Sequence, residues 1–417
     1  MKKIFWMQSN RKKKILKINS YPDGALRRNI PSPILTFLDG FVPNSSTDRS
    51  VNFVGIVSVE NEMAVFLPKG MRPFENQSDA RQLYHCISEY ERSVNLGWNS
   101  RSENKVAIPL GLKVLEDYIL NGIYSIREKK YLRNQTGKIV WPKTIRHVRP
   151  YITKSNIPIY DPPISFRQKS SSDLILQIHS AIVRESDEQL GWLISRNESR
   201  IAPDLVKAKL PLSISKSIKV LRNELSRQYE DMKIFQLKLM IDYLEQKAKY
   251  GGKSDWRLGT TNFQVLWENI CSNVFGDQKS VFPIPAIPAY QISGNIIPRP
   301  KNAQRPDIIV SENSKLAVVD AKYYDFRKSR PAWSDMVKQF FYAKSYQIKY
   351  SDFSIKNFFA VPDISDSSTE KVVVVDQQNA SLNETFSPIS IIYLDVNKVI
   401  NLFISRKQSE EFRSMVL

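Results

Sequence analysis

The stretch RPDIIVSENSKLAVVDAK, residues 305–322, decides the fold of the C-terminal part of this chain. Two apolar runs, within 307–310 and 316–320, flank the polar segment SENSK at 311–315. Short apolar runs joined by turn-forming residues are typical of two antiparallel strands. The stretch therefore predicts a β-hairpin with a polar residue at the open end of each strand.

The register of this hairpin determines which polar side chains meet. If Val310 pairs with Ala317, then Asp307 lies opposite Asp320, and directly opposed residues share one face of the sheet. Lys322 is two positions beyond Asp320 and points to the same face. The sequence thus predicts that two carboxylates and one ammonium converge, and a one-residue slip would separate them.

This convergence has a chemical and a structural interpretation. Two adjacent carboxylates repel each other unless a cation lies between them. Mg²⁺ prefers oxygen ligands and retains water, and a metal can polarise a phosphoryl oxygen while acidifying the attacking water. A nearby lysine can offset charge in the transition state. The alternative is a structural salt bridge between Asp320 and Lys322 at a strand end.

Composition favours a nucleic-acid partner. The 417 residues contain 61 Lys and Arg against 42 Asp and Glu, a net charge of +19. Such an excess is typical of proteins that bind phosphate backbones, although it also serves simple solubility. Cys86 and Cys271 form neither a disulfide framework nor a zinc cluster. Because no run is long enough to cross a membrane, we expect a cytoplasmic protein.

The length predicts two or three domains, and the strand and helix patterns along the chain predict an α/β class. We expect a β-containing, basic α/β domain at 1–165 for DNA recognition or partner binding. A helical scaffold is expected at 166–255, with one long helix over 214–249. Strands that alternate with helices over 256–417 predict one α/β domain there.

The most basic stretch lies at 123–154 and interleaves cations with Tyr131, Trp141 and Tyr151. Lysine and arginine can neutralise phosphates, and aromatic rings can stack on bases. The alternative is a strand pair with a solvated basic face. The candidate DNA contacts are Lys129, Lys130, Arg133, Lys138, Lys143 and Arg146.

Two helices around the hairpin carry further candidates. Glu268 lies on a helix predicted at 259–275, with Thr260 or Thr261 as its N-cap. Gln339 and Tyr342 are three residues apart on the following helix and share a face. The alternatives are a solvated helix position for Glu268 and packing for Gln339 and Tyr342.

These residues resemble the motifs of the PD-(D/E)xK nuclease superfamily. Pro306-Asp307 and Asp320-Ala321-Lys322 match its two core motifs, and Glu268 matches an acidic residue of its first core helix. The segment from Gln339 to Tyr342 is similar to the Gln-containing helix motif of RecB-like and McrC-like members. More narrowly, several segments look like LlaJI-type restriction endonucleases: FVGIVSVENEMAVFLPKG, KKYLRNQTGKIVWPKTI, GTTNFQVLWE, RPDIIV, VVDAKYY and DMVKQFFYA.

The resemblance implies that residues 256–417 are a nuclease domain with a restriction-endonuclease-like fold, a mixed sheet flanked by helices. It also implies that the protein cuts double-stranded DNA with Mg²⁺, for which Mn²⁺ can substitute. Asp307 and Asp320 would be metal ligands, with Glu268 and the Ala321 backbone carbonyl completing the set. Lys322 would be the catalytic lysine, and Gln339 would position the reacting groups.

Three partners beyond the metal are implied. They are an McrB-like AAA+ GTPase subunit, a protective DNA methyltransferase and a second copy of the chain on DNA. The sequence contains no Gly-x-x-x-x-Gly-Lys-Ser/Thr loop, so it lacks that nucleotide motif. Alternatives are a nuclease of DNA repair, junction resolution or transposition, or a DNA-binding subunit without catalysis.

Overall fold

The computed structural model describes most of the chain, and its architecture is mixed α/β. The described residues are 3–6, 15–42, 49–60, 62–72, 77–96, 106–133, 138–171, 173–195, 200–249, 255–286, 289–298, 305–326, 329–364, 370–378 and 381–417.

The strands are given in chain order. The first twelve are β1 (Lys3–Trp6), β2 (Ile15–Pro22), β3 (Ala25–Leu26), β4 (Ser50–Val51), β5 (Val54–Val59), β6 (Glu62–Leu67), β7 (Val106–Ala107), β8 (Ile126–Arg133), β9 (Lys138–Ile139), β10 (Tyr151–Ile152), β11 (Pro158–Ile159) and β12 (Ile164–Ser171). The others are β13 (Trp256–Thr260), β14 (Ala289–Ile292), β15 (Asn295–Pro298), β16 (Ile308–Glu312), β17 (Lys315–Ala321), β18 (Ser354–Asp363), β19 (Lys371–Val372) and β20 (Ile389–Asp395).

The α-helices follow the same order. They are α1 (Ser32–Asp39), α2 (Gln77–Leu96), α3 (Leu110–Asn121), α4 (Trp141–His147), α5 (Asp173–Ile194), α6 (Ile214–Leu225), α7 (Asp231–Lys249), α8 (Phe263–Phe275), α9 (Trp333–Lys349), α10 (Val396–Ile404) and α11 (Glu410–Val416). Among the described residues, no helix is both long enough and apolar enough to cross a membrane.

The chain divides into two compact units whose boundaries differ from the three segments expected from the sequence. One unit combines Met1–Ile108 with Asp255–Leu417, and the other is Pro109–Ser254. The first unit is discontinuous because β13 returns to the N-terminal sheet and pairs with β5, with Leu258 opposite Ile56. The pattern at 256–260 was too short to reveal that strand.

The N-terminal sheet of the first unit has the strand order β1-β2-β6-β5-β13-β7. Its β5–β6 hairpin is antiparallel and its strands are almost entirely buried. Gly55 and Gly259 face each other where β5 meets β13. A Cβ atom on Gly55 would lie 2.0 Å from the Leu258 carbonyl oxygen, so this close strand contact requires glycine.

The C-terminal sheet has the order β16-β17-β18-β20-β19. β16 and β17 are antiparallel, β18 runs parallel to both β17 and β20, and β19 is antiparallel to β20. The expected register is confirmed, because Val310 pairs with Ala317. The turn is tighter than the five-residue segment expected. Only Asn313 and Ser314 lie between the paired strand ends, and both have positive φ, as in a two-residue type I′ turn.

Helices cover both faces of this sheet. On one face, Ile309 and Val318 pack against Tyr342 and Tyr346 of α9. Side-chain alternation directs Ile308, Val310 and Val319 to the opposite face, where they are fully buried. The helix α8 contacts β16 and β17, and α10 contacts both α8 and β20. The sheet is therefore a buried middle layer, and the ends of its strands are left available for polar residues.

The predicted helix at 259–275 is correct in type and begins later. Thr260 belongs to β13, and the N-cap of α8 is Asn262 rather than Thr260 or Thr261. The Thr260 hydroxyl accepts a hydrogen bond from the Asn262 backbone N–H at 3.0 Å. The threonine shapes the strand-to-helix turn and does not cap the helix itself.

The second unit contains α3, α5, α6 and α7, together with the sheet β8-β12-β9 and the hairpin β10–β11. The single helix expected over 214–249 is wrong, because the helix is broken between Leu225 and Asp231. Backbone bonds from Arg227 to Glu224 and from Gln228 to Leu225 close α6 in a tight turn. Apolar spacing continues in both helices, so periodicity alone did not reveal the break.

Candidate active site

The open end of the β16–β17 hairpin is held by a side-chain contact in place of a ladder bond. Continuing the register places Pro306 opposite Ala321, and proline has no N–H to donate. The Ala321 N–H, which a regular ladder would pair with the Pro306 carbonyl, donates to Asp307 Oδ2 at 2.9 Å. The strand pairing thus leaves the Ala321 carbonyl without a donor from Pro306.

The Asp307 and Asp320 carboxylates lie together beyond the last strand pair, Ile308 with Val319. Counting from the turn, the Asp307–Asp320 position is a non-hydrogen-bonded one, where opposed side chains approach most closely. Burial raises the pKa of Asp307 to about 9, and the charge of Asp320 and a hydrogen bond with it contribute further. Such a crowded acidic pair favours either a bound proton or a cation.

The Lys322 ammonium lies between two carboxylates. Its Nζ atom is 2.7 Å from Asp320 Oδ2 and 3.2 Å from Asp335 Oδ1. Its backbone N–H donates to the Ala360 carbonyl at 2.9 Å, which attaches the residue to β18. Although burial opposes its charge, Asp320 and Asp335 outweigh burial and raise the pKa of Lys322 above the ordinary lysine value. The lysine is therefore cationic at neutral pH.

Glu268 on α8 lies near this cluster. Burial raises its pKa, a hydrogen bond from Gln264 lowers it, and the nearby charge of Asp320 raises it further. The Gln264 amide nitrogen lies 3.4 Å from Glu268 Oε1. Glu268 is thus close enough to Asp320 for their charges to interact. Its hydrogen-bond partner, Gln264, lies on the same helix.

Sequence reasoning missed Lys279 and Asp335. The Lys279 ammonium donates to the Asp307 backbone carbonyl at 2.9 Å and pairs with Asp277 Oδ2 at 2.9 Å. Asp277 in turn accepts from the Ile309 backbone N–H at 3.0 Å. The segment after α8 therefore covers the edge of β16 and contacts the backbone carbonyl of Asp307. Asp335 begins the segment DMVKQFFYA and Lys279 follows Asp277 by two positions, but neither local pattern indicates that its residue reaches the hairpin.

Gln339 is not brought into the carboxylate cluster. It is fully buried, and its amide nitrogen donates to the carbonyls of Val318 at 3.0 Å and Phe358 at 3.1 Å. The side chain therefore joins α9 to β17 and β18. Tyr342, one turn further on, lies closer to the acids. Burial and then the charges of Asp320 and Asp307 raise the pKa of Tyr342 to about 12.

The donors at this strand end fit a hard divalent cation that keeps much of its water. Among the described residues, no three His, Cys, Asp or Glu side chains are close enough together to hold a metal ion. Glu268 is therefore not gathered with Asp307 and Asp320 into a three-carboxylate set. Two carboxylates and the Ala321 carbonyl suit Mg²⁺, which commonly binds through one or two carboxylates and several waters.

A buried hydroxyl nearby also lacks a partner. Tyr324 Oη has no hydrogen-bond partner among the described residues. Burial raises the pKa of Tyr324, and the charges of Lys322, Asp335 and Asp320 also act on it. A buried polar atom of this kind usually requires a water or ligand oxygen as its partner.

The candidate DNA contacts all belong to the second unit. Arg133, Lys138, Lys143 and Arg146 are exposed around β8, β9 and α4. The backbones of Lys129 and Lys130 lie in β8, and their side chains are outside the described residues. The exposed cations share one region with the half-exposed Trp141 and the more exposed Tyr151.

Comparison with known proteins finds a family and a distant structural likeness. The family model described as LlaJI restriction endonuclease matches residues 53–407. No curated protein matches the chain. Among solved structures, the chain is similar to a refined half-complex from a tetradecameric assembly of Thermococcus gammatolerans McrB AAA+ hexamers with bound McrC. The identity is 12% and the TM-score 0.42, over 93% of this chain and 99% of that chain.

Proposed function

The chain belongs to the LlaJI restriction endonuclease family, and from that premise we propose that it hydrolyses phosphodiester bonds of double-stranded DNA with Mg²⁺. Mn²⁺ would substitute for Mg²⁺. The nuclease would act in a restriction–modification system beside a DNA methyltransferase that protects the host. Asp307, Asp320 and Lys322 would carry the reaction.

The observation that carries this proposal is the approach of Lys322 Nζ to within 2.7 Å of Asp320 beside the half-buried Asp307. Two carboxylates and one ammonium at the open end of the hairpin suit the hydrolysis of a phosphodiester bond. A structural salt bridge alone would need only one acid and one base. The second aspartate raises the energy of the metal-free protein, as expected for residues selected for chemistry.

Each side chain has a distinct part in this reaction. When bound, Mg²⁺ would polarise the scissile phosphoryl group and acidify the attacking water. Asp307 and Asp320 would bind the cation, with the Ala321 carbonyl as a further ligand. Lys322 would hold its ammonium against the developing charge on the phosphate oxygens. Glu268 would be an auxiliary carboxylate close to Asp320. Gln339 would position β17 and β18 through hydrogen bonds to their backbone carbonyls.

DNA would be held mainly by cations of the second unit. The net charge of +19 supports a polyanionic substrate. Exposed Arg133, Lys138, Lys143 and Arg146 would neutralise phosphates without reading sequence. Because such contacts are sequence-independent, recognition of a particular site requires other groups or a partner.

We also propose an McrB-like AAA+ GTPase as a partner subunit. The sequence lacks a Walker-type phosphate loop, so translocation on DNA would need a second protein. The resemblance of the segment from Gln339 to Tyr342 to McrC-like proteins supports this pairing. Dimerisation on DNA would allow two copies to cut both strands.

The proposal is tested by incubating the purified chain with plasmid DNA and Mg²⁺, with and without an McrB-like AAA+ GTPase and GTP. We expect cleavage in at least one arm, its loss with EDTA, and recovery with Mn²⁺. Asp320→Ala and Lys322→Ala should each abolish it. Asp352→Asn, an exposed aspartate of the same unit, is the matched control and should cleave normally.

Persistent cleavage by Asp320→Ala or Lys322→Ala would overturn the site assignment. DNA binding without cleavage under every metal and partner condition would favour a non-catalytic subunit. Cutting confined to branched DNA would instead place the nuclease in junction processing.

A further inference from the structure

Lys322 is held by carboxylates from two separate elements. Asp320 extends from β17, and Asp335 lies in the first turn of α9. Both ion pairs are largely shielded, with exposed side-chain fractions of 17% for Lys322, 12% for Asp320 and 26% for Asp335. Shielded pairs constrain geometry more strongly than surface pairs, which contribute little.

Asp320 cannot serve Lys322 and a divalent cation equally. A carboxylate that binds a dication has less negative charge to offer an ammonium, and the ammonium and the dication repel each other. When the cation binds, Lys322 therefore needs a second anion to stay ordered. Among the described residues, the other carboxylate in contact with its ammonium is Asp335.

We propose that Asp335 is the positioning residue of Lys322 and holds its ammonium in place when Asp320 binds the cation. This inference rests on the proposed function. Asp335 would not bind the cation or touch the substrate. It would act only through Lys322, by retaining the ammonium at the distance from the scissile phosphate that catalysis requires.

The attachment of α9 to the sheet supports this role. Gln339 is one helical turn after Asp335 and therefore lies on the same side of α9. Its amide donates to backbone carbonyls of both β17 and β18. The strand that carries Asp320 and the helix that carries Asp335 are thus joined one turn away from the ion pair. A carboxylate in a first helical turn is also favoured by the helix dipole.

The test compares Asp335→Asn, which keeps the shape and removes the charge, with Asp335→Glu, which keeps the charge. Asp352→Asn is the control for removing one exposed negative charge from the same unit. We expect Asp335→Asn to lower kcat by about 10- to 100-fold, the usual loss for a residue that orients an essential group. The DNA Kd, the KM and the Ca²⁺ affinity by calorimetry should stay within about twofold, and Asp335→Glu should recover part of kcat.

A second readout does not depend on cleavage. In a crystal structure with Mn²⁺ bound, Lys322 Nζ should lie within hydrogen-bond distance of Asp335 and should have left Asp320. In Asp335→Asn with Mn²⁺, the ammonium should lose that position. Circular dichroism and thermal melting would establish that each variant is folded.

Three results would overturn the inference. They are an unchanged kcat in Asp335→Asn, a fall in Ca²⁺ affinity as large as that of Asp320→Asn, or Lys322 remaining on Asp320 in the Mn²⁺ structure. Failure of the wild-type chain to cleave DNA under any condition would instead count against the proposed function. The Mn²⁺ structure would still decide where Lys322 lies.

Discussion

The backbone N–H of Ala321 donates to Asp307 Oδ2 at 2.9 Å, so the strand that carries the second aspartate also holds the first. In a regular ladder this N–H would donate to the Pro306 carbonyl, so the Asp307 side chain takes the place of a backbone acceptor. One carboxylate oxygen of Asp307 is thereby oriented by the backbone beside Lys322. The hairpin and the candidate active site are one structural unit, and this connection leads to the first two predictions.

Inserting one glycine between Asn313 and Ser314 should lower DNA cleavage by at least about 100-fold, because misplacement of reacting groups by about 1 Å costs that much. The two-residue turn sets which residues of β16 and β17 face each other. Cleavage rates and circular dichroism would measure the effect. Ser314→Gly keeps the loop length and suits the positive φ, so it should cleave normally. An insertion variant with wild-type activity would show that the loop absorbs the extra residue.

Asp307→Asn should abolish cleavage and stabilise the metal-free protein. The folded pKa of Asp307 is raised from 3.8 to about 9, so the folded state keeps a proton that the unfolded state has lost. Stability therefore falls as pH rises from about 4 to about 9, and asparagine removes this loss. Urea unfolding in EDTA at pH 7.5 should show a gain of at least about 1 kcal/mol. A less stable variant would contradict the statement that the Asp307 carboxylate destabilises the metal-free folded state.

Gln339→Ala should destabilise the protein by about 2 kcal/mol, because two buried carbonyls lose a donor. Gln339→Glu should cost at least as much, since a buried carboxylate cannot donate when ionised. Urea titration measures both. Gln347→Ala, on the exposed side of the same helix, is the matched control. Full stability with lost cleavage would indicate direct participation in catalysis.

Acid should selectively destabilise the second unit through His179. Its Nδ1 accepts the Tyr124 backbone N–H at 2.9 Å, which requires a neutral ring. Burial lowers the pKa of His179 from 6.5 to about 4, and the nearby Lys233 also lowers it, while Asp117 raises it. The unfolded state thus binds a proton first, and stability falls as pH drops from 6.5 towards 4, by about 3 kcal/mol in total.

The measurement for His179 is urea unfolding at pH 7.5 and pH 4.5 for the wild type and His179→Asn. The asparagine oxygen can replace Nδ1 as acceptor and does not titrate. The stability gap between the two proteins should narrow by about 2–3 kcal/mol at the lower pH. His147→Asn, at an exposed histidine, should leave the pH dependence unchanged. A constant gap for His179→Asn would refute the prediction.

Replacing Lys138, Lys143 and Arg146 by alanine should weaken binding to duplex DNA of any sequence. The slope of log K against log salt should become shallower by about 0.9 for each phosphate that the variant no longer neutralises. Fluorescence anisotropy over a salt series measures both effects. The matched control removes three exposed lysines of the same unit, Lys207, Lys216 and Lys219. Equal weakening in the two triple variants would indicate a general charge effect rather than a binding surface.

Local features could be predicted from the sequence because neighbouring residues encode them. The β16–β17 register follows from two apolar runs and a short polar turn, and it is confirmed. The roles of Asp307, Asp320 and Lys322 in catalysis remain predictions, now with a geometry that brings them together. The break between α6 and α7 was not predictable from periodicity, because both helices keep apolar spacing across it.

The sequence by itself determined that a hairpin would place two aspartates and a lysine on one face, since strand alternation and turn length are local properties. Only the tertiary structure decided which distant groups surround them. Asp335 reaches Lys322 because α9 packs on the sheet, and Lys279 reaches Asp307 because the segment after α8 covers an edge strand. It also placed Gln339 beneath the strands rather than among the acids. These contacts depend on how helices dock against a sheet, which side chains far apart in the sequence determine together.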